Sequence, residues 1–205
     1  MNPLVELDVA LDAPHPYCYQ AEADEWGLSL IGSRRSWAVL SQCGTYRYAL
    51  GRTWNDLGPT LIFLMLNPST ADHAADDPTI RKCVGFARRE RCGGIAVVNA
   101  FAMRATDPRE LYDAIRVGKD AVGPHNHEAI RIVVGGVLLG KLVLATGRPK
   151  WVALRSPIKM AHAEAMCWRL AWCLGVNSDG SPRHPLYLRA DTPLVPIGDA
   201  RSRLS

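Results

Sequence analysis

The run Leu61-Ile62-Phe63-Leu64-Met65-Leu66 constrains the fold more than any other stretch of the chain. Its six apolar residues show no alternation, so a strand made from them is buried on both faces and belongs to a sheet covered by helices on each side. The run stops abruptly at Asn67-Pro68-Ser69-Thr70-Ala71-Asp72. In open α/β sheets, ligands bind in crevices beyond the carboxyl ends of the strands. Asn67, Pro68, Ser69, Thr70 and Asp72 are therefore the first candidates for a site.

Around this strand the sequence predicts a three-layer α/β/α domain with a short, mostly parallel central sheet, preceded by an N-terminal hairpin. Trp37-Ala38-Val39-Leu40 and Tyr46-Arg47-Tyr48-Ala49-Leu50 flank the five residues 41–45, the pattern of a hairpin with a five-residue loop. Asp77-Pro78 opens a helix whose apolar stripe is Ile80, Cys83, Val84 and Ala87, closed by Gly93-Gly94. Ile95-Ala96-Val97-Val98 then ends at Asn99, and strand, helix and strand make one parallel crossover. Asp107-Pro108-Arg109-Glu110 carries the signature of a second capped helix. Further on, the spacing predicts a helix to Gly135-Gly136, a strand at Leu142-Val143-Leu144-Ala145, and an irregular linker over 147–159. A helix follows with the stripe Met160, Ala163, Cys167, Leu170, Ala171 and Leu174, and then a last strand at Leu186-Tyr187-Leu188. Residues 1–30 read as an N-terminal arm, 31–198 as a single domain and 199–205 as a C-terminal tail.

At 205 residues the chain suits one domain with a substantial core. A formal net charge of +4 and basic clusters at Arg81-Lys82, Arg88-Arg89, Arg91 and Arg183 are compatible with a nucleic-acid partner and equally with solvated helix faces. None of the six cysteines is spaced Cys-x-x-Cys, which argues against a zinc ribbon or a four-cysteine cluster; Cys83, Cys167 and Cys173 read as small core residues. Met1 to Ala13 lacks the basic start and apolar stretch of a signal peptide, no run reaches membrane-spanning length, and a cytoplasmic location is expected. Without Gly-x-Gly-x-x-Gly or Gly-Lys-Thr, no nucleotide cofactor is expected.

Asn67, Asn99 and His184 stand next to predicted strands, His184 before its strand rather than after it. An asparagine amide offers an acceptor and two donors, so it can read a nucleobase edge or hold a water; a histidine can donate to a developing oxyanion. Each also has a structural reading: Asn67 as a turn former beside proline, Asn99 as a strand-ending cap, His184 as a loop residue. Asp72, His73, Asp76 and Asp77 form an oxygen-rich group that matches no defined metal loop, and no metal is expected. The helix beginning at Pro78 can receive an anion on its free amides, with Arg81 one turn in.

Tyr46-Arg47-Tyr48-x-Leu50-x-Arg52-x-Trp54, Met65 through Asp72, Asp77-Pro78-Thr79 and His184-Pro185-Leu186-Tyr187 together resemble the bacterial and phage family called domain of unknown function 1643. More distantly, Leu66-Asn67-Pro68, Val98-Asn99 and His184-Pro185-Leu186 are similar, in that order, to motifs of the uracil-DNA glycosylase superfamily. That resemblance implies DNA as partner and a nucleobase or nucleotide as ligand. Asn67 would position an attacking water, Asn99 would bind the base edge, and His184 would stabilise the leaving base's oxyanion. Leu186 or Tyr187 would fill the gap left by a flipped nucleotide. Met65 and Ser69 stand where several such glycosylases have glycine, and Leu-Tyr follows His-Pro in place of Ser-Pro. Two other functions fit the residues: a non-catalytic nucleobase or nucleotide-binding module in phage DNA modification or defence, and a small-molecule hydrolase or transferase using Asp72 and His73.

Overall fold

The computed structural model describes residues 24–137 and 139–202. Eight strands form one sheet: β1 (Leu28–Ser33), β2 (Ser36–Ser41), β3 (Arg47–Thr53), β4 (Thr60–Met65), β5 (Gly94–Asn99), β6 (Leu142–Leu144), β7 (Ala171–Cys173) and β8 (Val195–Pro196). The helices are α1 (Pro78–Arg89), α2 (Pro108–Arg116), α3 (Asn126–Gly136), α4 (Arg155–Trp168) and α5 (Ile197–Ser202). The strands lie in the order β1-β2-β3-β5-β4-β6-β7-β8.

The α/β class holds, but the sheet is neither short nor mostly parallel. Only β5-β4-β6-β7 run parallel; β1 pairs antiparallel with β2, β2 with β3, β3 with β5, and β8 with β7. The reason is connection length. The short links between β1, β2 and β3 can join only antiparallel neighbours, whereas the helical crossovers return the chain parallel. The expected hairpin is β2–β3, and β1, which starts at Leu28 inside the stretch read as an arm, extends it. Residues 1–23 of the expected arm and the last three residues of the chain lie outside the described residues; α5 crosses into the stretch read as a tail.

β4 is buried at every position, as an unbroken apolar run requires. Its Leu61, Phe63 and Met65 pack with Ile80, Cys83, Phe86 and Ala87 of α1, while Ile62 and Leu64 join the cluster containing Ile130, Val133, Ile158 and Ala161 of α3 and α4. Alternate residues of a strand point to opposite faces, so helices cover both sides of the sheet. Both predicted caps are present. Asp77 Oδ1 accepts from Ile80 N at 2.8 Å, and Asp107 and Glu110 form a reciprocal capping box, with Arg109 N to Asp107 Oδ1 and Asp107 N to Glu110 Oε1 both 2.9 Å.

Three expectations fail downstream. The helix predicted to reach Leu174 ends at Trp168; Arg169 turns extended, and its guanidinium donates to Val134 O and Gly140 O, freeing Ala171–Cys173 to become β7. The buried face of α4 is Ile158, Ala161 and Ala165, so Met160, Cys167 and Leu170 of the predicted stripe are exposed. The span read as a linker contains a short 3₁₀ helix, Val152–Leu154, and the start of α4. Leu186-Tyr187-Leu188 is no strand: Pro185–Tyr187 is a 3₁₀ turn with His184 at its N-cap, where the proline has no amide to give a ladder. No helix among the described residues is long and apolar enough to cross a membrane.

Candidate functional site

The chain leaves β4 through α1 to β5 on one side, then returns by way of α2 and α3 to β6 on the other side of β4. Strand order therefore reverses between β4 and β6, and a crevice opens there at the carboxyl ends. A cleft of about 890 Å³ occupies this position. Leu66 and Asn67 after β4, Thr146 and Gly147 after β6, and Arg183 and His184 after β7 line it together with Asp77–Ile80 at the start of α1.

Asn67 clamps two loops. Its Nδ2 donates to Ala105 O at 2.7 Å and to Pro68 O at 3.0 Å, and Ala105 N donates to Pro68 O at 2.9 Å. With both amide hydrogens engaged, Oδ1 is the face of Asn67 left for a ligand or a water. Gly147 sits at φ +73°, and a Cβ there would meet His184 Cβ at 3.3 Å, so glycine allows the β6 loop to pass close to the imidazole.

His184 is a neutral donor by construction. Its Nδ1 accepts from Leu186 N at 3.4 Å, which leaves the proton of the neutral ring on Nε2. Burial lowers its pKa below the ordinary histidine value, only partly opposed by the Asp77 carboxylate. Four basic side chains line the cleft (Arg47, Arg148, Lys150 and Arg183) against one acid, Asp77. Arg148 is partly neutralised by Asp179 at 3.2 Å.

Of the residues singled out in the sequence, Asn67, Ser69, Thr70, His184, Leu186 and Tyr187 line this one cleft. His184 proves to follow β7, which removes the asymmetry expected of it; β7 had been hidden in an apolar stripe of helical spacing. Asn99, Pro68, Asp72 and Arg81 are not among the lining residues. Asn99 ends β5, on the far side of β4 from the switch point; it is fully buried, and neither Oδ1 nor Nδ2 has a partner. Met65, its register partner on β4, does line the cleft. Asp72 turns its own loop, with Oδ1 accepting from Ala74 N at 2.8 Å and Ala75 N at 3.0 Å, and Arg81 donates to Asp76 O. The oxygen-rich group is likewise dispersed, since Asp76 pairs with Arg52 at 2.8 Å and Asp77 caps α1. Among the described residues no group of three or more His, Cys, Asp or Glu gathers as a metal site. Sequence reasoning missed Arg47 as a site residue, reading it as part of the hairpin and of the family motif, and Asp77 as a lining residue. An arginine in an otherwise apolar strand was the available signal for the first.

Behind the cleft wall, Thr146 Oγ1 lies 3.3 Å from His162 Nε2 on α4. Burial, with Arg201 nearby, pushes the His162 pKa down to about 4. The unfolded chain takes up this proton near pH 6.5, the folded chain only near 4, so the folded state loses stability as pH falls through that window. The loss is on the order of 3 kcal/mol over the full window. Denaturant titrations at pH 7.5 and 4.5 should show a smaller drop in His162→Gln than in the parent; equal drops would rule out this histidine as the cause.

A mixed sheet with helices on both faces and a basic crevice at its switch point place the chain among α/β proteins. The chain belongs to the family described as protein of unknown function (DUF1643), whose model matches residues 47–186. The matched span opens on Arg47 and closes on Leu186, so it holds every lining residue except Tyr187 and Leu188. No curated protein and no solved structure matches the chain.

Proposed function

We propose that this protein binds a nucleobase in DNA through the β4–β6 cleft and hydrolyses its N-glycosidic bond. The observation that carries the reading is the convergence of Asn67, with Oδ1 left for a water, and His184, with its proton on Nε2, on one basic cleft at the carboxyl ends of β4 and β7. The similarity of the Asn67, Asn99 and His184 motifs to the uracil-DNA glycosylase superfamily supports the same ligand.

In this reaction a water held by Asn67 Oδ1 attacks the sugar C1′, forming a carbon–oxygen bond as the carbon–nitrogen bond breaks. The electron pair leaves with the base, and His184 Nε2–H donates to the base oxygen on which the charge develops. The water's proton passes to Asp77, the one carboxylate among the described residues that line the cleft. Asp72, which does not line the cleft, takes no part in it.

Incubation with single-stranded and duplex oligonucleotides carrying uracil or other modified bases, followed by chromatography for free base, tests the reaction. At least one substrate should release its base, and no release from any of them would exclude hydrolysis. Binding followed by fluorescence anisotropy should weaken steeply with salt. Asn67→Ala, which removes the acceptor given to the attacking water, should abolish base release. Unchanged release in that variant would defeat the role given to Asn67.

A further inference from the structure

β3 carries two buried arginines, Arg47 at 1% exposure and Arg52 at 9%, and they are treated differently. Arg52 Nε donates to Asp76 Oδ1 at 2.9 Å, and its Nη2 lies 2.8 Å from the same oxygen, so its charge is neutralised within the chain. Arg47 forms no ion pair with any carboxylate of the described residues. Its Nη1 donates to Ala71 O, and its Nε is buried with no partner at all. Burial drags its pKa down to about 10, with Asp77 the leading opposing influence, so the guanidinium stays charged at neutral pH.

A buried charge without a counter-charge is among the least favourable groups a fold can hold, and replacing one by an apolar side chain is commonly neutral or stabilising. Arg47 also lines the cleft, beside the first turn of α1, where Thr79 and the N-terminal peptide dipoles favour negative charge. Ser69 and Thr70 add hydroxyl donors on the same wall.

From this we infer that Arg47, with the N-terminus of α1, forms a phosphate subsite, and that the ligand of the cleft is a nucleotide whose phosphate supplies the direct ion pair that no carboxylate of the described residues makes with Arg47. The inference deepens the nucleobase reading and rests on the assignment of this cleft as the ligand site. A guanidinium is suited to the role because its planar fork matches two phosphate oxygens at once. Arg81, one turn into α1, is excluded from it by its position outside the cleft and its bond to Asp76 O. The phosphate has two sources, a free nucleotide or a nucleic-acid strand.

Calorimetric titration of the full chain with thymidine, thymidine 5′-monophosphate, inorganic phosphate and a short thymidine oligonucleotide separates the possibilities. The phosphorylated forms should bind about 30-fold or more tightly than thymidine, the loss expected on breaking a buried charge pair. Inorganic phosphate should compete with them. Arg47→Met should lose the phosphate gain and melt no lower than the parent in phosphate-free buffer. Arg47→Lys, which keeps the charge but not the fork, should retain only part of the gain and serves if the methionine variant does not fold. Gain for the mononucleotide alone assigns the subsite to free nucleotides, and gain for the oligonucleotide assigns it to a strand; both support the subsite. Thymidine binding as tightly as its monophosphate, or a phosphate gain that survives Arg47→Met, would overturn it and leave the base reading standing. Phosphate binding through Arg47 without any preference among bases would do the reverse.

Discussion

Replacing His184 with alanine is expected to slow base release by about 10²–10³-fold while changing ligand affinity much less, the loss typical of removing one donor from a developing oxyanion. The proposed reaction needs a neutral imidazole, and two features supply it. Nδ1 serves as acceptor for Leu186 N, and burial holds the pKa below the ordinary histidine range. Single-turnover rates should accordingly be level from pH 6.5 upward and fall only on the acid side, as the ring gains a second proton. Alanine also removes the cap of the 3₁₀ turn that carries Leu186 and Tyr187, so a purely structural loss has to be separated from a chemical one. His184→Asn does this, since its carbonyl can take over the cap but its short side chain cannot deliver the Nε2 proton. A rate restored by asparagine would show that His184 shapes the loop and does no chemistry; a rate still down by two orders of magnitude would support donation.

The largest stability effects are expected at Gly51 and the tryptophan packed on it. Gly51 pairs across strands with Trp37, and a Cβ built on it would lie 2.3 Å from Trp37 Cε2 and 2.4 Å from Cζ2. These are ring atoms of a residue only 1% exposed, between two strands held in register, so neither side can withdraw. Gly51→Ala should destabilise the fold by about 3 kcal/mol, the upper end for overpacking. Trp37→Ala alone should cost about 3–5 kcal/mol through the cavity it leaves. Because each change relieves the other's defect, the double variant should be more stable than the sum predicts by roughly 0.5–3 kcal/mol, measured by urea denaturation. Strict additivity would mean that the indole and the glycine are not in contact. The pair bears on function because β3 delivers Arg47 to the cleft: a slip of its register would turn that side chain to the other face.

The expectation of a mostly parallel sheet came from the strands that could be recognised, β4, β5 and β6, which do run parallel. β1 is short, half-buried and preceded by proline-rich sequence, and β7 and β8 have three and two residues, too few to show any period. β7 was absorbed into the apolar spacing of α4 because Leu170 reads as apolar in the sequence, although it is 89% exposed in the fold.

What the sequence by itself determined was local. The doubly buried strand, the proline-started helices with their aspartate caps, the hairpin, and the polar residues following β4 all depend on neighbours within a few positions, where sterics and side-chain hydrogen bonds act directly. Even Asn67 and His184, far apart in the chain, were legible as residues adjoining apolar segments. Only the tertiary structure decided which of these ends share a crevice. The order β5-β4-β6-β7 puts the switch point between β4 and β6, brings His184 and Arg183 in after β7, and leaves Asn99 beneath the wall on the other side of β4. It also separated the two arginines of β3. Nothing in their local sequence distinguishes Arg52, matched by Asp76, from Arg47, left without a counter-charge. The difference arises from residues more than twenty positions away, because charge pairing depends on distance in space and strand order alone sets that distance.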